Sequence, residues 1–268
     1  MSTLAERTIA ALRITHDDLV AFVRGLDAAD LGRRSGASEW SVAQVLSHLG
    51  SGAEIGLATL RAALGGREAP GQDFNHGVWD RWNAKDPEAQ AKDFLVADAE
   101  IVSAFEGLDA DARERLRVKL GFLPAPADVA LVAGMRLNEA ALHSWDVRVA
   151  FDPAAVVAPD TAGVLTDLYS GPLDFMVGFM GRPDALDPRL ATTLRVETSD
   201  PERVLGLTLG ETVGFSEVPE PADTLSLPAE AWVRLLGGRL APEHTPPSVS
   251  VTGDGVTLDD LRRVFPGI

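Results

Sequence analysis

The segment from Met135 to Val147 is apolar on nearly every side of a helix, and it gives the strongest indication of the fold. A helix repeats about every 3.6 residues, so a half-exposed helix keeps one broad polar face. Here the apolar residues surround the helix: Met135, Leu137, Ala140, Ala141, Leu142 and Trp145. We therefore predict a buried helix, on which any charged side chain needs a partner.

Three other helical patterns precede this segment. They run from Thr3 to Leu26, from Trp40 to the Gly65-Gly66 stop, and from Pro87 to Leu108, with apolar residues recurring at helical spacing. Ser38 or Ser41 is expected to cap the second helix. The intervening residues 65–83 have a loop-like composition. Four long helices in succession predict a helical bundle.

The composition changes between Phe151 and Pro159, which predicts a four-helix bundle over 1–155, the part that contains the candidate metal ligands discussed below, and an α+β domain over 156–268. The second domain is expected to begin with a helix from Thr161 to Met180. Strands, helices and turn signals follow: strands Thr193 to Thr198, Val204 to Leu209, Thr212 to Glu217, Thr224 to Leu227 and Ser248 to Thr252, and helices Ala229 to Leu236 and Thr257 to Val264.

The charge and the cysteine count exclude several functional classes. A formal net charge of -16 repels phosphate backbones and anionic lipid surfaces, so neither nucleic acid nor a membrane is an expected partner. The sequence has no apolar run of transmembrane length and no signal-peptide pattern, which predicts a cytoplasmic protein. With 0 cysteines, any thiol chemistry needs a thiol from another molecule.

Glu139 and His143 are the most chemically specific pair on the buried helix. At a spacing of four residues they lie on one face, about 6 Å apart along the axis. Such a pair is either an ordinary side-chain interaction or two ligands of one metal ion. Among the other histidines, His48 alone sits inside an apolar helical pattern, where it is either a core histidine or a third ligand.

The sequence resembles the DinB-like, mycothiol-dependent maleylpyruvate isomerase and thiol S-transferase family. Trp40-Ser-Val and Val45-Leu-Ser-His48-Leu resemble that family's second-helix motif, and Glu139-Ala-Ala-Leu-His143-Ser-Trp-Asp146 resembles its fourth-helix motif. Two C-terminal segments, Leu235-Leu-Gly-Gly-Arg239 and Val251-Thr-Gly-Asp254, resemble its second domain, which is similar to a sterol-carrier fold.

The resemblance implies a metal site formed by His48, Glu139 and His143. Zn²⁺ is the expected ion, and other first-row divalent ions suit the same donors. The resemblance further implies that mycothiol is the thiol cosubstrate, which adds to a small-molecule electrophile in an isomerase or transferase reaction. Arg239 is expected to bind a substrate carboxylate, with Arg234 as the alternative, and Asp146 is expected either to orient an imidazole or to be an ordinary helix-end charge.

Two other functions are compatible with the same ligands. A metal-dependent hydrolase needs a general base near the metal-bound water, for which Asp146 and Glu54 are the candidates. A non-catalytic small-molecule binding protein needs no such base. The expected assembly is a monomer or a homodimer, and the residues do not identify the electrophile.

Overall fold

The structure is a computed structural model that describes residues 2–37, 39–220 and 223–267. The chain divides into two units, Met1–Asp152 and Pro153–Ile268. One of the two predicted caps of the second helix, Ser38, lies outside the described residues.

The first unit is a helical bundle. Its four long helices pack in a closed ring in which α1 contacts α7 and α5, and α3 also contacts α5 and α7. Apolar side chains at helical spacing fill the interior, including Leu12, Leu46, Leu49, Phe94, Phe105 and Leu137. The helices of this unit are α1 Leu4–Val23, α2 Ala28–Leu31, α3 Val42–Leu64, α4 Gln72–Asn83, α5 Pro87–Glu106, α6 Ala110–Arg115 and α7 Val129–Val149.

The loop predicted for residues 65–83 is wrong for most of its length, because α4 occupies Gln72–Asn83. Of its twelve residues only Val78 and Trp82 are buried, so the sequence lacks the repeated apolar spacing by which helices are recognised. The helix packs on α3, where Gly50 lets the Trp82 ring approach closely. A Cβ added at Gly50 would lie 2.3 Å from that ring.

The second unit combines a mixed five-stranded sheet with helices, as the predicted α+β class requires. The strand order is β3-β2-β1-β4-β5, in which only the β1–β4 pairing is parallel. The elements of this unit are α8 Pro159–Tyr169, α9 Asp174–Met180, β1 Thr192–Ser199, β2 Arg203–Leu209, β3 Val213–Ser216, β4 Thr224–Pro228, α10 Ala229–Leu236, β5 Ser250–Thr252 and α11 Leu258–Val264.

Alternating residues of the sheet bury one face against the helices of the same unit. Leu194 and Val196 in β1 and Leu225 and Leu227 in β4 are buried, and α10 contacts both strands. The single helix predicted from Thr161 to Met180 is wrong, because it is interrupted after Tyr169. Gly171 and Pro172 explain the interruption, since proline disfavours helical geometry in the residue before it.

Within the described residues, no helix combines the length and the apolar character needed to cross a membrane.

Candidate metal centre

A capping box fixes the start of the helix that carries His48. The Ser41 hydroxyl accepts a hydrogen bond from the Gln44 backbone N–H at 3.3 Å, and the Gln44 side chain accepts one from the Ser41 N–H at 2.8 Å. The predicted cap at Ser41 is therefore present. His48 lies about two turns further along α3, where its side chain is 39% exposed.

The helix that carries Glu139 and His143 begins at a second side-chain cap. The Asp128 carboxylate accepts a hydrogen bond from the Leu131 N–H at 2.8 Å, which satisfies one of the free backbone donors at the start of α7. Glu139 and His143 then lie one turn apart on the same face. Their side chains are 44% and 13% exposed, so the Glu139 side chain is partly exposed although α7 is largely buried.

His48, Glu139 and His143 are brought together by the packing of α3 against α7. The Nε2 atom of His48 lies 2.9 Å from Oε2 of Glu139, and Nε2 of His143 lies 3.6 Å from the same oxygen. One potential ligand atom from each of the three side chains lies within 4.8 Å of the other two. Two imidazole nitrogens and one carboxylate oxygen therefore face a common point.

A buried carboxylate holds the second nitrogen of the His143 ring. Oδ2 of Asp146 lies 2.8 Å from Nδ1 of His143, and the Asp146 side chain is 0% exposed. Because a carboxylate accepts hydrogen bonds, this contact favours a proton on Nδ1, and in the neutral ring Nε2 is then the nitrogen available to a metal ion. The Asp146 backbone carbonyl also accepts a hydrogen bond from the Gly36 N–H at 2.8 Å, which connects the loop between α2 and α3 to α7.

The two histidines favour the ionised form of Glu139. Desolvation opposes ionisation of this carboxyl group, but hydrogen bonds from His143 and His48 and the charges of those rings outweigh it. Together they hold the pKa of Glu139 well below its usual value. An ionised carboxylate is the form that binds a metal ion.

Trp40 packs against both imidazole rings, a contact that the sequence analysis did not anticipate. Its ring centroid lies 5.1 Å from that of His48 and 6.0 Å from that of His143, with tilted ring planes. The two imidazole centroids are 4.7 Å apart. The indole thus restricts the rotation of both rings. Its position just before the α3 cap does not reveal this contact, because helical spacing does not report contacts with α7.

The three side chains fit a divalent metal ion. Zinc sites with two histidines and one carboxylate keep a further position open for a substrate or water. The contact between His143 and Asp146 is the carboxylate–histidine arrangement that orients metal-binding imidazoles in many proteins. The structure therefore brings together the three residues named as candidate ligands, and their role as metal ligands stays a prediction.

The other residues singled out in the sequence have different environments. Within the first unit, Glu54 accepts hydrogen bonds from Trp82 Nε1 at 2.9 Å and from Arg81. Within the second unit, Arg239 donates from Nη1 to the Gly237 carbonyl at 2.6 Å, at the end of α10. Arg234 is 1% exposed and forms a two-point ion pair with Glu230 at 2.7 and 2.8 Å.

Replacement of Asp146 should weaken metal binding while leaving all three ligands in place. We expect Asp146→Ala to lower zinc affinity about 10- to 100-fold, since the loss of an outer hydrogen-bond partner frees the His143 ring. Asp146→Asn, which keeps an oxygen acceptor for Nδ1–H, should have a smaller effect. Competition with a chromogenic chelator measures the affinity, and thermal unfolding checks the fold. Equal zinc affinity in all three proteins would show that Asp146 does not orient the ligand.

Comparison with family models finds a match over most of the first unit. The family described as "Mycothiol maleylpyruvate isomerase N-terminal domain" matches residues 12–148, just over half of the chain and the part that contains His48, Glu139 and His143. Comparison with curated proteins gives no significant match.

Solved structures reproduce the fold over nearly the whole chain. The crystal structure of the mycothiol-dependent maleylpyruvate isomerase aligns with a TM-score of 0.64 and 15% identity, covering 94% of this chain and 96% of that one. A histidine-to-alanine mutant of that isomerase aligns with the same TM-score and coverage at 14% identity. On the strength of the family match, the chain belongs to the mycothiol maleylpyruvate isomerase N-terminal domain family.

Proposed function

We propose that this protein is a metal-dependent enzyme that activates a low-molecular-weight thiol for addition to an electrophilic small molecule. In this proposal His48, Glu139 and His143 hold one divalent ion, with Zn²⁺ as the leading candidate and mycothiol as the thiol. The observation that carries the proposal is the convergence of the three donor atoms within 4.8 Å. Family membership supports the choice of thiol.

The residues of the chain prepare the site before any substrate binds. Asp146 favours a proton on Nδ1 of His143, and Trp40 holds both imidazole rings by packing. The lowered pKa of Glu139 favours its ionised carboxylate form. A divalent ion bound by these side chains would favour the deprotonated form of a coordinated thiol near neutral pH. The chain has 0 cysteines, so the sulfur must come from a cosubstrate.

Both proposed reactions begin with addition of the thiolate sulfur to an electron-poor carbon–carbon double bond. In an isomerase, the carbon–carbon bond, now a single bond, rotates. Expulsion of the thiolate then restores the double bond in the opposite geometry. In a transferase, the carbanion takes up a proton and the thioether leaves as the product. The known family members named above favour the isomerase, while the described side chains are compatible with either outcome.

The hydrolase alternative receives less support from the structure. Its candidate bases were Asp146 and Glu54, and both carboxylates have side-chain partners. Asp146 contacts His143, and Glu54 contacts Trp82 and Arg81. These contacts make both carboxylates less available as a general base for a metal-bound water. The non-catalytic binding protein remains an alternative that turnover measurements decide.

The role of Arg239 in binding a substrate carboxylate stays a prediction. Its guanidinium donates to the Gly237 carbonyl at the C-terminal end of α10, where a cation also interacts favourably with the helix dipole. Arg234, the alternative, is occupied by Glu230 and also donates to the His244 carbonyl at 2.8 Å. Of the two, Arg239 is the better candidate, since the Arg234 guanidinium is almost completely buried.

Turnover should depend on an added thiol. We expect the zinc-loaded protein to isomerise or consume an activated alkene in the presence of mycothiol, and to lose this activity when the thiol is omitted, because the chain has no cysteine of its own. The measurement is alkene loss and product geometry by NMR, with and without mycothiol, and with bacillithiol as a comparison thiol. Equal turnover without thiol would overturn the proposal in favour of the hydrolase, and no turnover with any thiol would favour the binding protein.

A further inference from the structure

Arg136 lies inside the bundle, in a buried cluster that joins three helices. One of its terminal nitrogens, Nη2, donates to Oδ1 of Asp98 on α5, and Oδ2 of Asp98 lies 2.6 Å from Nδ1 of His16 on α1. The Arg136 residue is 8% exposed and Asp98 is 1% exposed. The ion pair fixes the plane of the guanidinium while engaging only one of its three nitrogens.

The remaining nitrogens of Arg136 have hydrogen-bonding capacity to spare. Nε is buried and has no hydrogen-bond partner among the described residues. Nη1 faces Gly52 on α3: a Cβ added to Gly52 would lie 3.6 Å from this nitrogen and near no other described side chain. A buried guanidinium with unused N–H donors is costly, so a ligand that accepts hydrogen bonds there gains more than it would at the surface.

Arg136 and Gly52 each lie about one helical turn from a candidate metal ligand. Gly52 follows His48 by one turn on α3, and Arg136 precedes Glu139 by about one turn on α7. Since His48 contacts Glu139 and Gly52 faces Arg136, the Gly52–Arg136 contact forms the next layer between α3 and α7, about one helical turn, roughly 5 to 6 Å along the helix axis, from the layer of the candidate ligands. That separation suits the two ends of a small acid.

The neighbouring surface of the two helices is partly open to solvent. Gly52 and Ile55 on α3 and Met135 on α7 are partly exposed, although most residues of these helices are buried. The absence of a side chain at Gly52 opens the space directly beside Nη1. Apolar walls with one oriented cation are typical of sites that bind small organic acids.

We propose that Arg136 and Gly52 form a carboxylate subsite inside the bundle, which positions an acidic electrophile beside the metal centre. The inference rests on the proposed function in one respect: the proposed function makes the bound acid the electrophilic substrate. A guanidinium is well suited to this task because its planar N–H groups match a carboxylate. The subsite needs no residue from the second unit, which distinguishes it from the role predicted for Arg239.

Titration with succinate tests the subsite without requiring turnover. We expect saturable binding by calorimetry to the zinc-loaded and the zinc-free wild type, and a change in the Arg136 side-chain Nε–H resonance, assigned with Arg136→Lys. Gly52→Val fills the space beside Nη1 and should weaken binding at least about tenfold, the effect of losing one hydrogen bond to a charged group. Gly77→Val is the matched control, since Gly77 lies on an exposed part of α4 with nothing within 4 Å of an added Cβ.

Arg136→Lys provides a second test that keeps a cation beside Asp98. It should weaken succinate binding as strongly as Gly52→Val, because an ammonium cannot reproduce the planar donors. Succinamide, the neutral analogue, should not compete with succinate. Equal succinate affinity in Gly52→Val and wild type, or an unchanged Arg136 resonance at saturation, would overturn the proposal.

A turnover comparison separates this inference from the proposed function. With mycothiol present, Gly52→Val should lower kcat/KM for maleate at least about tenfold and for dimethyl maleate by much less, since only the acid uses the guanidinium. Equal losses for acid and ester would contradict the subsite. Absence of thiol-dependent turnover with both substrates would remove the proposed function, while the succinate titration would still decide whether Arg136 binds carboxylates.

Discussion

His143→Ala should lose both the bound divalent ion and the thiol-dependent turnover, and His48→Ala should do the same. Each variant removes one of three protein ligands, so the loss should exceed the 10- to 100-fold that is typical for an outer partner such as Asp146. Elemental analysis of the wild type should find about one zinc-like ion per chain, consistent with three protein ligands and an open position. Both variants should retain only a small fraction of that content after dialysis against a weak chelator.

His76→Ala is the matched control for the two ligand variants. His76 is exposed on α4 and packs beside Trp79, with ring centroids 5.5 Å apart. Its replacement removes an imidazole without touching the candidate ligands, so metal content and turnover should match the wild type. Full metal content in His48→Ala and His143→Ala would show that the ion binds elsewhere. Retained turnover in a variant depleted of metal would show that the reaction does not need the ion.

The helices of the bundle and the pairing of Glu139 with His143 were predictable because they depend on local spacing. The observed bounds of α1, α3 and α5 lie within about three residues of the predicted ends at most positions, and α10 spans Ala229–Leu236 as predicted. Glu139 and His143 share a face for the same reason, since four residues make about one turn. His48 was harder to place. Its position on α3 was local, whereas its contact with Glu139 depends on how α3 packs against α7, and the family resemblance supplied that pairing.

The remaining features depend on contacts between residues far apart in sequence. The inward direction of Arg136 follows from Asp98 on another helix, and nothing in the spacing of α7 indicates it. The contact of Trp40 with His143 likewise crosses from the start of α3 to α7. The helix α4 was missed because two buried residues and an otherwise polar composition give too weak a pattern. A longer apolar stripe would have been visible in the sequence.

Asp98→Ala should destabilise the protein by about 3 to 5 kcal/mol, the cost of leaving one member of a buried ion pair without its partner. The substitution removes the acceptor of both Arg136 Nη2 and His16 Nδ1, in a site where all three residues are at least nine-tenths buried. Asp93→Ala is the matched control on the same helix. Asp93 pairs with Lys85 at 2.9 Å but is 45% exposed, so its loss should cost less than about 1 kcal/mol. Urea unfolding measures the loss in the free energy of unfolding for both variants. A loss for Asp98→Ala as small as that for Asp93→Ala would contradict the stabilising role of the buried ion pair.

The difference in the free energy of unfolding between wild type and Asp98→Ala has an electrostatic part, which its dependence on acid pH identifies. Desolvation opposes ionisation of Asp98, but the charge of Arg136 and hydrogen bonds from His16 and Arg136 outweigh it and lower the pKa of Asp98. A carboxyl group whose folded-state pKa is lowered contributes this stability above its unfolded-state pKa, about 3.9, and loses it as the pH falls through the folded-state value. The stability difference between the two proteins should therefore shrink as the pH falls below about 4. A difference that stays unchanged down to the acid unfolding transition would assign the effect of Asp98→Ala to packing.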